Sequence, residues 1–286
     1  TALIAGFKKE IRGKIFGFWG HVHIMHAGVS NILEARPIDK RQDFYPSLDT
    51  IRGITYEGYS ESGQVRTLST KGGIRHIQTF AIKPAILKAN ESLEGLVIKG
   101  VGKDFDWSYL EPYIEEGEVL NLPDSVESRQ LLISRTTADR MQLQVGDAFL
   151  LYFVKDGQQI RRRFELGGIY RTGLEDYDQR FALGDMRVIQ QLLGWEPWQV
   201  SGFELFVENI DHLQMYKQFL FREVLPLELY AETIREKDPT IFDWLDLQDI
   251  NEAVILLLMI IVSIINMITA LLILILERTN MIGTLK

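Results

Sequence analysis

The stretch 252–286 reads EAVILLLMIIVSIINMITALLILILERTNMIGTLK. From Ala253 to Leu276 it runs 24 residues without a charge, a proline or a glycine. At ~1.5 Å of rise per residue this makes roughly 36 Å of helix, enough to cross the hydrocarbon core of a bilayer with some tilt. A buried helix of a water-soluble protein is seldom this long and apolar on every face. The segment also stands at the wrong end of the sequence for a secretory signal peptide. A transmembrane helix over 253–276 is therefore predicted, and the rest of the chain is read around it.

Flanking charge gives the helix a direction. The preceding DPTIFDWLDLQDINE (238–252) carries Asp238, Asp243, Asp246, Asp249 and Glu252 and no lysine or arginine, whereas Arg278 and Lys286 follow the span. Positive flanks stay in the cytoplasm, so the chain is expected to enter it at Arg278, with residues 1–250 mostly outside. Trp244 suits an interfacial anchor and a packed core position equally well.

Composition narrows the outer part. The 286 residues carry 39 acidic and 31 basic side chains, net −8, and no cysteine. A nucleic-acid binder would show a basic face instead. Without disulfides the core must hold by packing. About 250 residues are enough for one large domain or two small ones. Abundant Leu, Ile, Val and Phe argue against disorder.

The chain opens TALIAGFKKEIRGKIFGFWG. Apolar residues at 7, 11, 15 and 16 make a helical stripe with basic residues opposite. Residues 1–20 are expected to be a stalk helix that follows a first membrane helix before Thr1. HVHIMHAG (21–28) alternates as a strand does. RQDFYPSLDTIRGI reads as a short helix ending near Gly53, residues 55–84 as strands joined by glycine turns, and SLEGLVIKGVG (92–102) as another strand. DWSYLEPYIEEGEVLNL passes from helix to strand around Gly117. QLLIS is a strand, SRTTADRMQL a helix with Ser134 as its N-cap, and GDAFLLYFV and QIRRRFELGGIY two strands joined by a tight turn at Asp156-Gly157. LGDMRVIQQLLGW (183–195) is a helix, and residues 201–234 form β-α-β. The outer part is thus α+β, expected in two lobes: a porter-like lobe from 21–114 and 200–250, and a β-rich insert at 115–199.

Enzyme chemistry is missing. GLVIKGVGK (95–103) has Val101-Gly102 where a phosphate loop needs Lys and Ser/Thr. His21 and His23 share one face of a strand, as metal ligands sometimes do, but no second cluster completes a site. Asp104 and Asp106, and Glu115-Glu116, read as solvated surface carboxylates. No Gly-x-Ser-x-Gly elbow is present. No catalytic residue, metal or cofactor is expected.

Ser263, Asn266, Thr269 and Ala270 recur on one face of the membrane helix. Lipid cannot satisfy Asn266, so this face is expected to pack against another helix.

Residues 261–286 resemble the second membrane helix and following segment of the MacB/FtsX-like ABC transporter permeases, and within them are most similar to the lipoprotein-releasing (LolC/LolE-type) permease subunits. The pattern shared is Glu-Arg-Thr-x-x-Ile-Gly-x-Leu-Lys, Glu277 to Lys286. GFKKEIRGKIFGFWGHVHI resembles the stretch after that family's first membrane helix, and ADRMQLQVGDAFLLYFV with RRRFELGGIY its outer-domain core. The resemblance implies a two-lobed, MacB-like periplasmic core domain on a long transmembrane helix in the bacterial inner membrane. It implies a cytoplasmic ABC ATPase as partner, meeting Glu277, Arg278, Met281, Ile282, Gly283, Leu285 and Lys286 at the start of a coupling segment (277–286). It further implies a second permease subunit, a lipoprotein substrate and a periplasmic carrier, with no catalysis in the chain itself. Peptide or antibiotic export, or activation of cell-wall hydrolases, remains the alternative within the superfamily. A bitopic sensor is the rival from another class.

The resemblance sets a carrier-docking hairpin near VKDGQQIRRRF (154–164): Lys155, Asp156, Gly157, Arg161 and Arg163. Its tip is shorter than the family's hook. Strand alternation puts Arg161 and Arg163 on one face and Arg162 on the other. Charge protection of a strand edge explains the arginines equally well.

Overall fold

The computed structural model describes residues 6, 13–15, 17–29, 36–59, 65–155 and 157–283. The chain divides into two units, Glu10–Lys237 and a second made of Thr1–Lys9 with Asp238–Lys286.

The first unit is mixed α/β. Its strands in chain order are β1 (Val22–His26), β2 (Ile38–Asp39), β3 (Thr55–Tyr59), β4 (Val65–Ser69), β5 (Ile74–Ala89), β6 (Ser92–Val101), β7 (Ile114–Gly117), β8 (Gln130–Ser134), β9 (Ala148–Lys155), β10 (Gln158–Tyr170), β11 (Phe181–Asp185), β12 (Gln199–Val200), β13 (Gly202–Val207) and β14 (Leu229–Thr233). Ten of them form one sheet in the order β14-β1-β13-β5-β6-β11-β8-β10-β7, with β9 between β10 and β5. The pairs β6–β11 and β8–β10 are parallel and the other ladders of this sheet antiparallel.

The ladder closes on itself. β5 pairs β6, β6 pairs β11, β11 pairs β8, β8 pairs β10, β10 pairs β9, and β9 returns to β5 through Ile86↔Tyr152. This six-stranded barrel is filled by Leu87, Leu96, Ile98, Leu131, Ile133, Leu151, Phe164 and Leu166, all buried. Closure is possible because β5, at 16 residues, outruns its first neighbour: β13 pairs it up to Phe80, and β9 takes the same edge from Ile86. Pro84 falls in the gap between the two neighbours, where a missing N–H costs no ladder bond on that edge. The strands of residues 115–199 and those on either side therefore meet in one continuous ladder, with β5 and β6 shared.

Local chemistry explains most element ends. Ser134 caps the helix Arg135–Met141, its hydroxyl accepting from the Thr137 N–H at 3.1 Å. Asp185 caps Met186–Leu193 in the same way through the Arg187 N–H, and Gly194 ends that helix in the left-handed conformation. That helix lies close on β6 because Gly100 has no side chain; a Cβ there would come within 2.8 Å of the Met186 Cα. The short helix read from RQDFYPSLDTIRGI is Tyr45–Leu48, ending before Gly53. The described residues at 13–15 and 17–19 are helical, and Ile15, Phe18 and Trp19 are buried in the compact unit, so this end of the expected stalk belongs to the core.

In the second unit a single α-helix runs 45 residues from Pro239 to Gly283. Within it Ile250–Leu276 is long and apolar enough to cross a membrane. This adds three residues to the start of the predicted span.

Candidate functional site

One face of β5 and β6 carries buried charged residues at one end and exposed apolar residues at the other. Near the start of β5 the face holds Gln78, Phe80 and Ile82, with Lys99 on β6 beside them. In register across the neighbouring strands stand Glu204 on β13, opposite Gln78, and His23 on β1, opposite Glu204. Lys99, Glu204, His23 and Gln78 are all fully buried. Lys99 Nζ lies 2.8 Å from Glu204 Oε1 and also donates to the Phe18 carbonyl. Gln78 Nε2 donates to Glu204 Oε2 at 2.7 Å, and His23 Nε2 lies 3.7 Å from Glu204 Oε1. The aromatic rings of Trp19 and Phe18 close over Lys99 at 4.8 and 5.2 Å, a geometry that favours a cation. Lys237 Nζ sits 3.9 Å over the Trp19 ring.

Burial pushes the Glu204 carboxyl toward its neutral form. The Lys99 ammonium, with the His23 ring beside it, overcomes this and holds it at about 2. Burial also pulls Lys99 down from its ordinary value, against the pull of Glu204. With 2.8 Å between them the pair is ionic. His23 is lowered to about 4 by burial and by the charge of Lys237, so its ring is neutral at pH 7. His21 is lowered to about 3, chiefly by burial, and its Nδ1 accepts from the Val207 N–H at 2.7 Å. The two histidines do share a face, but His21 is tied to the Val207 N–H, and His23 is packed against the Trp19 and Phe80 rings with neither ring nitrogen hydrogen-bonded among the described residues. Among the described residues no group of three or more His, Asp or Glu side chains could hold a metal.

Further along the same strands no described residue covers the face. Pro84, Ile86 and Lys88 on β5 and Leu93 on β6 are exposed, Ile86 by 42% and Leu93 by 64%. The register adds Tyr152, opposite Ile86, and Leu150, opposite Lys88, with Arg161 and Arg163 next to these on β10. Arg161 and Arg163 thus stand together on this apolar face, as alternation predicted, and Arg162 points to the other side, opposite Leu151. Lys155 and Gly157 flank the turn; Asp156 lies outside the described residues.

The remaining predicted residues are dispersed. Glu115 and Glu116 bind Arg135, and Glu115 also Arg171. Asp106 caps a short turn and pairs with Arg75. On the membrane helix Ser263, Asn266, Thr269 and Ala270 are exposed in this single chain. The Thr269 hydroxyl is satisfied by the Ile265 carbonyl at 2.8 Å, which leaves Asn266 as the residue of this stripe that most needs another helix. The backbone of Glu277, Arg278, Met281, Ile282 and Gly283 continues the helix. Their side chains, and Leu285 and Lys286 altogether, lie outside the described residues. The Lys99–Glu204 pair escaped the sequence reading. Its signal is a lone lysine in LVIKGV and a lone glutamate in FELFV, opposite charges in two otherwise apolar strands.

No family model matches this chain, and none of the curated proteins does. Among solved structures it is similar to the crystal structure of the extracellular domain of the noncanonic ABC-type transporter YknZ from Gram-positive bacteria. That similarity has 11% identity, a TM-score of 0.44, and covers 74% of this chain and 99% of the other. The likeness is too distant to place the chain in that family.

Proposed function

We propose that the chain is part of a permease subunit of an ABC transporter, carrying an extracytoplasmic domain on a membrane helix that receives movement from a cytoplasmic ATPase. The observation that carries this reading is the unbroken helix Pro239–Gly283. It leaves the compact unit directly after Lys237, passes through the apolar span and continues into the segment that resembles the family's ATPase-facing motif. At ~1.5 Å per residue it is a rod of roughly 68 Å, and an unbroken helix transmits displacement along its axis where a hinged one would not. Positive charge at Arg278 supports a cytoplasmic end and an outer domain on the opposite side of the inner membrane. The substrate favoured by the sequence resemblance is a lipoprotein, passed to a periplasmic carrier at the Arg161–Arg163 face, with a second permease subunit packed on the Asn266 stripe.

A hinge in the rod tests this. Three glycines inserted after Asn251 in the full-length subunit, reconstituted with its ATPase, keep both ends of the helix and break its continuity. ATP hydrolysis is expected to persist while release of a lipoprotein from proteoliposomes falls at least tenfold. Undiminished release would overturn the mechanical reading. Failure of the subunit to capture an ABC ATPase from solubilised membranes would overturn the permease class itself.

A further inference from the structure

A cleft of about 370 Å³ opens at the carboxyl ends of β6 and β11, the adjacent parallel strands that finish at Val101 and Asp185. The volume is within the usual range of small-molecule sites, about 300–1,000 Å³. Val101, Leu122, Met186 and Pro197 give it apolar walls, and six charged side chains line it. Four of the six satisfy one another: Asp185 binds Arg187 at 2.6 Å, and Lys103 pairs with Asp124. Two are left, of opposite sign.

Asp104 is held rigidly by one oxygen only. Its Oδ2 accepts from the Thr79 N–H at 2.6 Å, the Thr79 hydroxyl at 2.8 Å and the Tyr45 hydroxyl at 3.0 Å. Oδ1 has no donor among the described residues. It lies against Gly102, a residue of the cleft wall, where a Cβ would come within 2.4 Å of it. Lys40 is half-buried, its main chain fixed by an N–H bond to the Trp198 carbonyl at 2.8 Å. Its ammonium has no acceptor among the described residues. Both groups face solvent in the open cleft, so each can exchange water for a ligand group of opposite charge.

We propose that this cleft binds a small zwitterion of dipeptide size, its ammonium on Asp104 Oδ1, its carboxylate on Lys40 Nζ and its apolar side chains against Leu122 and Met186. The sign pattern selects this class. A simple cation would be repelled by Lys40 and a simple anion by Asp104, while a zwitterion satisfies both and matches the cleft's overall neutrality.

Isothermal titration of the full chain in detergent micelles tests the proposal with three probes: Leu-Leu, N-acetyl-Leu-Leu and Leu-Leu amide. Saturable binding of Leu-Leu is expected, with each blocked form weaker by about tenfold or more for the loss of one charge-assisted contact. Lys40→Met is expected to weaken Leu-Leu by a similar factor, leave the amide unchanged and keep the melting temperature of the parent. Asp104→Asn reads the ammonium end; if it does not fold, Lys40→Met and the blocked peptides decide alone. Equal affinity for all three probes, or no saturable binding at millimolar Leu-Leu, would overturn the proposal.

Discussion

The two ends of the β5–β6 face solve opposite problems with the wrong-looking residues. At the covered end, under Trp19 and Phe18, lie a lysine, a glutamate and a histidine. At the bare end lie Pro84, Ile86, Leu93 and Tyr152. Strand alternation is the same at both ends, so it does not decide which end is core. The described residues at 13–15 and 17–19 decide, by lying over one end and not the other. Their rings sit on Lys99, and the Phe18 carbonyl takes one of the lysine's protons. The covered end is thus a polar lock between the N-terminal helix and three strands. The bare end is an apolar surface rimmed by Lys88, Arg161 and Arg163, the composition of a surface that meets a partner.

The lock breaks most severely when one charge is removed. Glu204→Leu leaves the Lys99 ammonium buried with a single carbonyl and aromatic faces, and is expected to cost about 3–5 kcal/mol. Lys99→Met with Glu204→Leu removes both charges and should recover most of that loss. Denaturant unfolding of the chain in detergent, followed by tryptophan fluorescence, measures both. A loss below about 1 kcal/mol for the single variant would mean that Lys99 finds water in the folded protein, contrary to its burial.

Protons attack the same lock. His23 has a folded value of about 4 against 6.5 in the unfolded chain, and His21 about 3. Between these values the unfolded chain binds more protons, so stability falls as pH drops below 6.5 and, for His23, stops falling near 4. A shift of this size amounts to roughly 3 kcal/mol for His23. Glu204, lowered from 4.5 to about 2, works in the next window and loses its contribution as pH falls from 4.5 toward 2. Unfolding free energies at pH 7, 5.5 and 4.5 should therefore decline steadily, and His23→Gln should flatten the decline by about half. A profile unchanged by that substitution would assign the acid lability elsewhere.

What the sequence disclosed follows the range of the interactions. Ser134 as N-cap, the β9–β10 turn and the apolar span rest on residues within one or two turns of each other, and they are where the reading put them. The helix read over 183–195 runs only Met186–Leu193, because residues 183–185 finish β11, a strand whose partners β6 and β8 are distant in sequence. Barrel closure rests on β5 changing partners along its length, and nothing in residues 74–89 announces that except Pro84. The same holds for the candidate sites. Arg161 and Arg163 were placed by period two. Lys99 and Glu204 are 105 residues apart, so their pairing is a property of the assembled sheet. The cleft gathers Lys40 and Asp104 from two separate loops and Arg187 from the first turn of the helix Met186–Leu193, and each alone reads as ordinary surface.

The bare end should tolerate charge reversal that the covered end does not. Arg161 and Arg163 are exposed and form no ion pair among the described residues. The double change Arg161→Glu, Arg163→Glu is therefore expected to move stability by no more than about 0.5 kcal/mol. Its effect belongs to encounter instead. An arginine rim speeds the approach of an acidic partner, by attraction that falls away beyond a Debye length of about 8 Å at physiological ionic strength. If the face receives an acidic periplasmic carrier, the wild-type association rate should fall as salt rises, and the reversed variant should associate slowly at all salt concentrations. Dissociation should change less, since Ile86, Leu93 and Tyr152 supply the apolar contact that holds the complex. A stopped-flow titration of carrier against both forms separates these terms. Equal association rates at low salt would leave the arginines as edge protection for β10 and would move the docking surface elsewhere.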